Sequence, residues 1–319
     1  MFVEERNTDS GKKYYLVHSY RDGTKVKKVR EYLGYNLTKE KLSKLKEPAK
    51  AKIEYKISNL NKIKDPLKGL ISEKDLEKIK ELQKEIQVFH LSKEQWIQFT
   101  EQFTYNTNAI EGSTLEEKEV KEILEKNKWP IDKSKEDISE AQGVKDAIDY
   151  IRETKEHISV ELIREIHRIV FKNSKSFAGL FRPRGIEVVI SNGFGVVVHR
   201  GAPSEKVIEL LEELITWYNK YKSKYPPILL AAVVHNQFEN IHPFQDGNGR
   251  VGRILLNNIL LKNKLPPVDI TFESRQKYYS CLREYQNNQN IRPTIEHLVE
   301  EYKVLKKKLK VTTKQENVV

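Results

Sequence analysis

The sequence predicts a mainly α-helical protein with one β-hairpin set into the helical body and a second small hairpin at its start. Three observations predict it. From Leu91 to about residue 300 the chain is a succession of apolar-periodic segments, spaced i, i+3, i+4 and separated by short polar loops. Within that succession only IEVVISNGFGVVVHR, residues 186–200, breaks the rhythm, with β-branched runs on either side of Asn192-Gly193. Near the start, Asp22-Gly23 separates KYYLVHSY (13–20) from KVKKVREYL (25–33), and Asp-Gly supplies the positive φ that a tight hairpin turn needs.

The N-terminal unit, 1–35, is therefore read as a hairpin closed by Gly34. Residues 36–90 read as charged connecting or docking helices, broken at Pro48 and Pro66, with SEKD at 72–75 forming a capping box. Ser92 caps a helix to about Ala109, and Ser113 or Thr114 caps the next, to about Asn127. Helices follow over 138–155, 159–173, 204–221 and 226–239, then from Gly249 to about Asn263, 273–289 and 292–310. The main domain is thus 91–300, followed by a basic helical tail over 301–319.

Composition narrows the function. No apolar run approaches the roughly 18 residues of a membrane span. The first residues, MFVEERNTDSGKKYY, lack the features of a secretory leader, so the expectation is a cytoplasmic protein without a membrane partner. One cysteine, Cys281, excludes an intrachain disulfide framework and is expected to be a bystander. The net charge is +11, yet residues 101–260 carry 22 basic and 24 acidic side chains, so the excess sits at the two ends. A nucleic-acid partner is set aside because Glu is interleaved with the lysines and base-stacking aromatics are not.

The chemistry concentrates in NIHPFQDGNGRVGRILLNN, residues 240–258. Pro243 stops the preceding helix and places His242 at its exit. Gly247 and Gly249 let the backbone approach a ligand, and the apolar run that follows opens a helix whose unpaired N–H groups form an anion site. Arg250 and Arg253, three apart, share one face and can grip adjacent phosphates. Asp246 is a carboxylate suited to Mg²⁺ beside a polyphosphate. His235, on the apolar helix upstream, reads as a core histidine. The set together reads as a nucleotide-transfer site.

HPFQDGNGRVGR, residues 242–253, resembles the signature of the Fic family of protein adenylyltransferases at every defining position. TYNTNAIEGSTL (104–115) and KYYSCLREYQNNQNIRP (277–293) are similar to the branch that includes the animal endoplasmic-reticulum enzyme. The resemblance covers about residues 90–300 and implies a Fic-type helical domain whose inserted hairpin is a flap. It implies that His242 is the base that activates a target hydroxyl, and that ATP is the AMP donor. Asp246 would hold Mg²⁺, Gly247, Asn248 and Gly249 would cradle phosphate, and Arg250 and Arg253 would contact the β- and γ-phosphates. Asn257, Tyr279 and Gln286 would line the nucleoside pocket, although Gln286 departs from the Asn of close relatives. Phe194 and Val197 on the flap would meet a target protein; self-modification and a homodimer are compatible with it. Thr107, Glu111 and Gly112 match the family's inhibitory motif, with Glu111 replacing the γ-phosphate on Arg253 through a bidentate pair. Alternatives are a bifunctional enzyme or a hydrolase in which Glu111 aligns water to remove AMP, and a nucleic-acid or protein binding module with a vestigial site.

Overall fold

The tyrosine-rich opening pairs as three strands, one more than the Asp-Gly turn predicts. The computed structural model of the protein describes residues 1–22, 25–64, 66–67, 71–86, 91–191 and 197–315. Strands β1 (Phe2–Thr8), β2 (Gly11–Asp22) and β3 (Lys25–Tyr35) form an antiparallel sheet in the order β1-β2-β3. β2 and β3 pair on either side of the expected turn, with Tyr15 opposite Tyr32 and Asp22 still in β2 opposite Lys25, while residues 23–24, Gly23 of the expected Asp-Gly turn among them, lie outside the described residues. β1 escapes sequence reading because FVEERNT does not alternate; its register on β2, Phe2 opposite Val17 through Thr8 opposite Gly11, is what defines it.

Helix α1 (Lys39–Lys64) packs on one face of this sheet, with Ala49 and Ile53 buried alongside Leu16 and Val29. Pro48, read as a break, lies inside α1. It sits on the exposed side, as does Lys44, so water can satisfy the carbonyl that the missing N–H leaves free. The compact units are Met1–Lys64 and Asp65–Val319, a division that falls within the 36–90 connector.

The second unit holds α2 (Glu73–Lys84), α3 (Lys93–Ile110), α4 (Glu117–Lys126), α5 (Lys135–Glu153) and α6 (Val160–Phe171). The flap strands β4 (Val189–Ser191) and β5 (Val197–Arg200) follow. Then come α7 (Val207–Tyr221), α8 (Pro227–Ile241), α9 (Asn248–Lys262), α10 (Arg275–Asn288) and α11 (Arg292–Gln315). Ser72 and Ser92 both form capping boxes, and Ser134 and Ser159 cap α5 and α6. Neither Ser113 nor Thr114 caps α4. Thr114 donates to Asp137 Oδ2 at 3.0 Å, and Glu119 takes over the start of the helix by accepting from the Glu116 amide at 2.8 Å. α11 runs through the expected boundary at 300/301 as one helix, with Leu305 and Leu309 buried.

α8 and α9 form the centre. Ile228 through Phe238 are all buried, and α9 is buried on nearly every side although it carries Arg250, Arg253, Asn257 and Asn258. α5 and α6 pack on α9, while α7 and α10 pack on α8, so the α8–α9 turn is held from several directions. The flap is antiparallel, with Val189 opposite Arg200 and Ile190 opposite His199. Phe194 and the side chain of Val197 lie outside the described residues. Among the described residues no helix is long and apolar enough to cross a membrane.

Candidate active site

α8 ends where Pro243 demands, and His242 adopts the left-handed conformation at φ 53°, ψ 62°. For a residue with a β-carbon this costs on the order of 1 kcal/mol and persists only where neighbours enforce it. Arg182, itself buried, supplies the enforcement. Its Nε donates to the His242 carbonyl at 2.8 Å and its Nη2 to Ile241 O at 3.3 Å and to Ala202 O. Nη1 donates to Ile186 O at 2.8 Å, and the Arg182 amide donates to Pro243 O at 2.9 Å. One guanidinium thus joins the entry to β4, the exit from β5 and the backbone of His242.

The turn itself is closed by Asn248, whose Oδ1 accepts from the Phe244 amide at 2.9 Å and whose Nδ2 donates to Phe244 O at 3.0 Å. Its side chain therefore shapes the loop, leaving its backbone at the helix start. Gly247, at φ 80°, is obligatory: a β-carbon there would run into the Phe171 ring. α9 begins immediately afterwards, so the first-turn N–H groups of Asn248 and Gly249 form an anion cradle beside His242.

The imidazole of His242 is oriented from behind. Nδ1 lies 3.3 Å from Glu239 O and 4.0 Å from Glu239 Oε2. With Nδ1–H donating to that carbonyl, Nε2 keeps its lone pair. Burial, and after it His199, whose ring centroid is 5.6 Å away, lower the imidazole to about 3, so His242 is neutral at pH 7. His199 on β5 is also lowered by burial and is hydrogen-bonded to Gln286, which places Gln286 under the flap. Glu239 is pushed up to about 8 by burial, against the attraction of Arg253. Its Oε1 has no hydrogen-bond partner among the described residues.

Arg253 is fully buried and reaches from α9 to α3. Nε donates to Thr107 Oγ1 at 2.8 Å, and Nη2 donates both to Thr107 O at 2.9 Å and to Glu111 Oε1 at 2.7 Å. Burial opposes its charge, but Glu111 and Tyr278 raise its pKa above the usual arginine range. The contact with Glu111 is single, through one nitrogen and one oxygen, where the sequence reading expected a bidentate pair. Nη1 has no partner among the described residues and lies near Gly249, where a β-carbon would stand 3.1 Å from it and would collide with Glu111 Oε1. Glu111 is the C-cap of α3, and Gly112, at φ 95°, turns the chain away after it.

Arg250 does different work. It pairs with buried Glu140 on α5, reaches Asn108 Oδ1 on α3 at 3.4 Å and lies over the Phe171 ring at 4.6 Å, whereas Arg253 is held by Thr107 and Glu111. Asp246 is half-exposed. Burial raises its carboxyl, but Arg250, the Gly247 amide at 2.7 Å and Lys175 at 3.4 Å outweigh this and hold it low. Asn257 spends its amide on Val268, donating at 2.9 Å and accepting at 2.8 Å, and so fixes the 265–270 loop. Tyr279 donates to Ile110 O at 3.1 Å and packs against the end of α3. His235 is the expected core histidine, 3.0 Å from Tyr278 OH, and Cys281 is packed against Pro293 O.

Residues 157–260, from α6 through the flap to α9, match the Fic/DOC family. That match spans about a third of the chain. It is similar to protein adenylyltransferase fic-1 of Caenorhabditis elegans, 34% identical over 205 residues, which cover 61% of this chain and 38% of that protein. Protein adenylyltransferase Fic of Nematostella vectensis is 34% identical over 200 residues, covering 61% of this chain and 45% of the relative. The chain spans less than half the length of these relatives. Among solved structures, Fic-1 of C. elegans superposes with a TM-score of 0.63 at 27% identity, covering 79% of this chain and 75% of that one. A Fic domain-containing signalling protein of Bacteroides thetaiotaomicron gives 0.63 at 25% identity, covering 74% and 95%.

Sequence reasoning missed Glu239, His199, Arg182, Glu140 and Lys175 in this site. Glu239 carried a signal, since an acid three residues before His242 near a helix end falls on the imidazole's side of the helix. The others come from α5, β5 and the segment between α6 and β4, and only tertiary packing brings them near.

Proposed function

We propose that this chain is a protein adenylyltransferase that moves AMP from ATP to a Ser, Thr or Tyr hydroxyl of a target protein, and that Glu111 holds it inactive. The observation that carries this reading is Arg253: Nη2 is occupied by Glu111 while buried Nη1, beside Gly249 at the start of α9, has no partner among the described residues. A buried cation with an unsatisfied N–H at a helix N-terminus fits a phosphate, and the carboxylate in the same place fits an inhibitor. The names of the similar animal proteins agree with this chemistry.

In the proposed reaction Nε2 of neutral His242 takes the proton of the target hydroxyl as its oxygen bonds to the α-phosphorus of ATP. The bond from that phosphorus to the bridging oxygen breaks, and pyrophosphate leaves. The N–H groups of the 247–249 turn stabilise charge on the transferring phosphate, and Arg253, once free of Glu111, holds the γ-phosphate. His199 stands over His242, so the target must displace it as it pairs with the flap. Asp246 fits Mg²⁺, because its carboxylate is ionised, half-exposed and next to the cradle. Among the described residues no three His, Cys, Asp or Glu cluster to form a metal cage, and Mg²⁺ bound with phosphates needs only one or two carboxylates. When bound, the ion neutralises phosphate charge.

The test is intact and peptide mass spectrometry of the Glu111→Gly variant incubated with Mg·ATP and cell lysate. An AMP adduct on this chain or on other proteins, absent with His242→Ala, supports the reading. No adduct with the folded Glu111→Gly variant contradicts it.

A further inference from the structure

We propose that the outer face of the N-terminal sheet binds nucleic acid. Residues 1–64 contain 17 Lys and Arg against 8 Asp and Glu, so this unit carries +9 of the chain's +11. The sequence argues against such a partner because the Lys-rich helical segments, such as 39–52 and 303–314, have no aromatics interleaved with their lysines. Strand pairing removes that objection.

The register divides the sheet into two faces, because successive side chains alternate and directly opposed residues share a side. Leu16, Val29 and Glu31 face α1: Leu16 and Val29 are buried, and Glu31 pairs with Lys52 at 3.2 Å and Lys56 at 3.1 Å on that helix. The other face presents Arg6, Lys13, Arg21, Lys28 and Arg30, drawn from all three strands. Its one acid is Glu4, which Arg6 and Arg30 both grip, at 2.6 and 3.2 Å. Set among these cations on the same side are Phe2, Tyr15 and Tyr32. Phe2 is 50% and Tyr32 53% exposed, with Lys28 Nζ 5.9 Å from the Phe2 ring centre and Arg6 5.1 Å from that of Tyr15.

Exposed rings on a sheet amid cations are the combination that binds a nucleic-acid strand: cations neutralise phosphates and every base offers a face for stacking. An acidic protein would use the charge but not the rings. An anionic membrane would favour a helix with a long aliphatic edge over tyrosines on a sheet.

The test is fluorescence anisotropy of the full chain with short labelled duplex DNA, single-stranded DNA and RNA, whose relative affinities identify the strand type. If four or five phosphates are contacted, affinity falls by about a hundredfold or more between 50 and 200 mM salt. Removing Lys28 and Arg30 together by alanine substitution is expected to flatten the logarithmic salt slope by about 2, and Tyr32→Ala to cost about tenfold on a single strand. Lys220→Ala with Lys224→Ala removes equal charge from the second unit and leaves binding unchanged. Circular dichroism checks folding, and Tyr32→Ala, at an exposed position, stands as the independent variant should the double one unfold. The proposal is overturned if no nucleic acid binds at low salt, if the Lys220/Lys224 control loses as much as Lys28/Arg30, or if anionic lipid vesicles bind as well as nucleic acid.

Discussion

Replacing Glu111 by Ala should weaken the resting protein and strengthen its hold on ATP, and the sizes follow from the Arg253 geometry. The pair is a single charge-assisted hydrogen bond of 2.7 Å between a buried guanidinium and a carboxylate 30% exposed. At an effective dielectric of about 20, opposite charges about 4 Å apart attract by about 4 kcal/mol, and desolvation leaves a net of about 2 kcal/mol. Glu111 must leave Arg253 before a γ-phosphate can bind, so removing it raises ATP affinity by about 30-fold, at 1.4 kcal/mol per tenfold. Glu111→Gln keeps a neutral acceptor of about half the strength and should gain only about fivefold. Without nucleotide, Glu111→Ala leaves Arg253 with its two Thr107 bonds and should lose about 1–3 kcal/mol of stability in denaturant melts. Isothermal titration calorimetry with Mg·ATP, alongside urea unfolding, reads both effects. Equal ATP affinity in wild type, Gln and Ala variants would refute the competition between carboxylate and phosphate.

His242→Ala should abolish AMP transfer while leaving the fold intact, as read by radiolabelled ATP and circular dichroism; wild-type labelling would remove the base assignment. Because burial lowers His242 to about 3 and His235 likewise, the unfolded chain binds more protons below about pH 6.5. Stability from these histidines is therefore complete above that pH and is lost as pH falls toward 3, which acid unfolding in the Ala variants checks. Glu239, raised to about 8, has the opposite sign: the native state holds a proton that the unfolded state has released, so stability declines from about pH 4.5 up to 8. Glu239→Gln should therefore be on the order of 2 kcal/mol better, relative to wild type, at pH 7 than at pH 5; no pH dependence in that difference would show the carboxyl to be ionised. Arg182→Lys loses the fork that grips four carbonyls and should lower kcat more than ATP affinity, since His242 and not the phosphate cradle relaxes; a loss confined to ATP binding would contradict this.

Much of the site was legible because its determinants are local. Pro243, the two glycines and the apolar run after them fix a helix exit, a turn and a helix start within a dozen residues, and the structure places His242 and the α9 amides accordingly. Ser72 and Ser92 fix helix starts by the same local logic, whereas Ser134 caps an α5 that begins at Lys135, three residues before the start expected at 138. Non-local partners decided the rest. Equal spacing put Arg250 and Arg253 on one face, but Glu140 on α5 claims the first and Thr107 with Glu111 on α3 claims the second. Asn257 looked free for a nucleoside until the 265–270 loop folded back onto it. β1 had no signal of its own because its register is supplied by β2. Pro48 looked like a break only because exposure, which lets water serve the freed carbonyl, cannot be read from the residue type.

The most direct test is a crystal structure of the Glu111→Ala variant with Mg·ATP. The triphosphate is expected to lie across the amides of Gly247 to Gly249, with its terminal phosphate on Arg253 and its α-phosphate facing Nε2 of His242. A nucleotide bound elsewhere, or a turn that remains empty at saturating nucleotide with Arg253 unengaged, would contradict it.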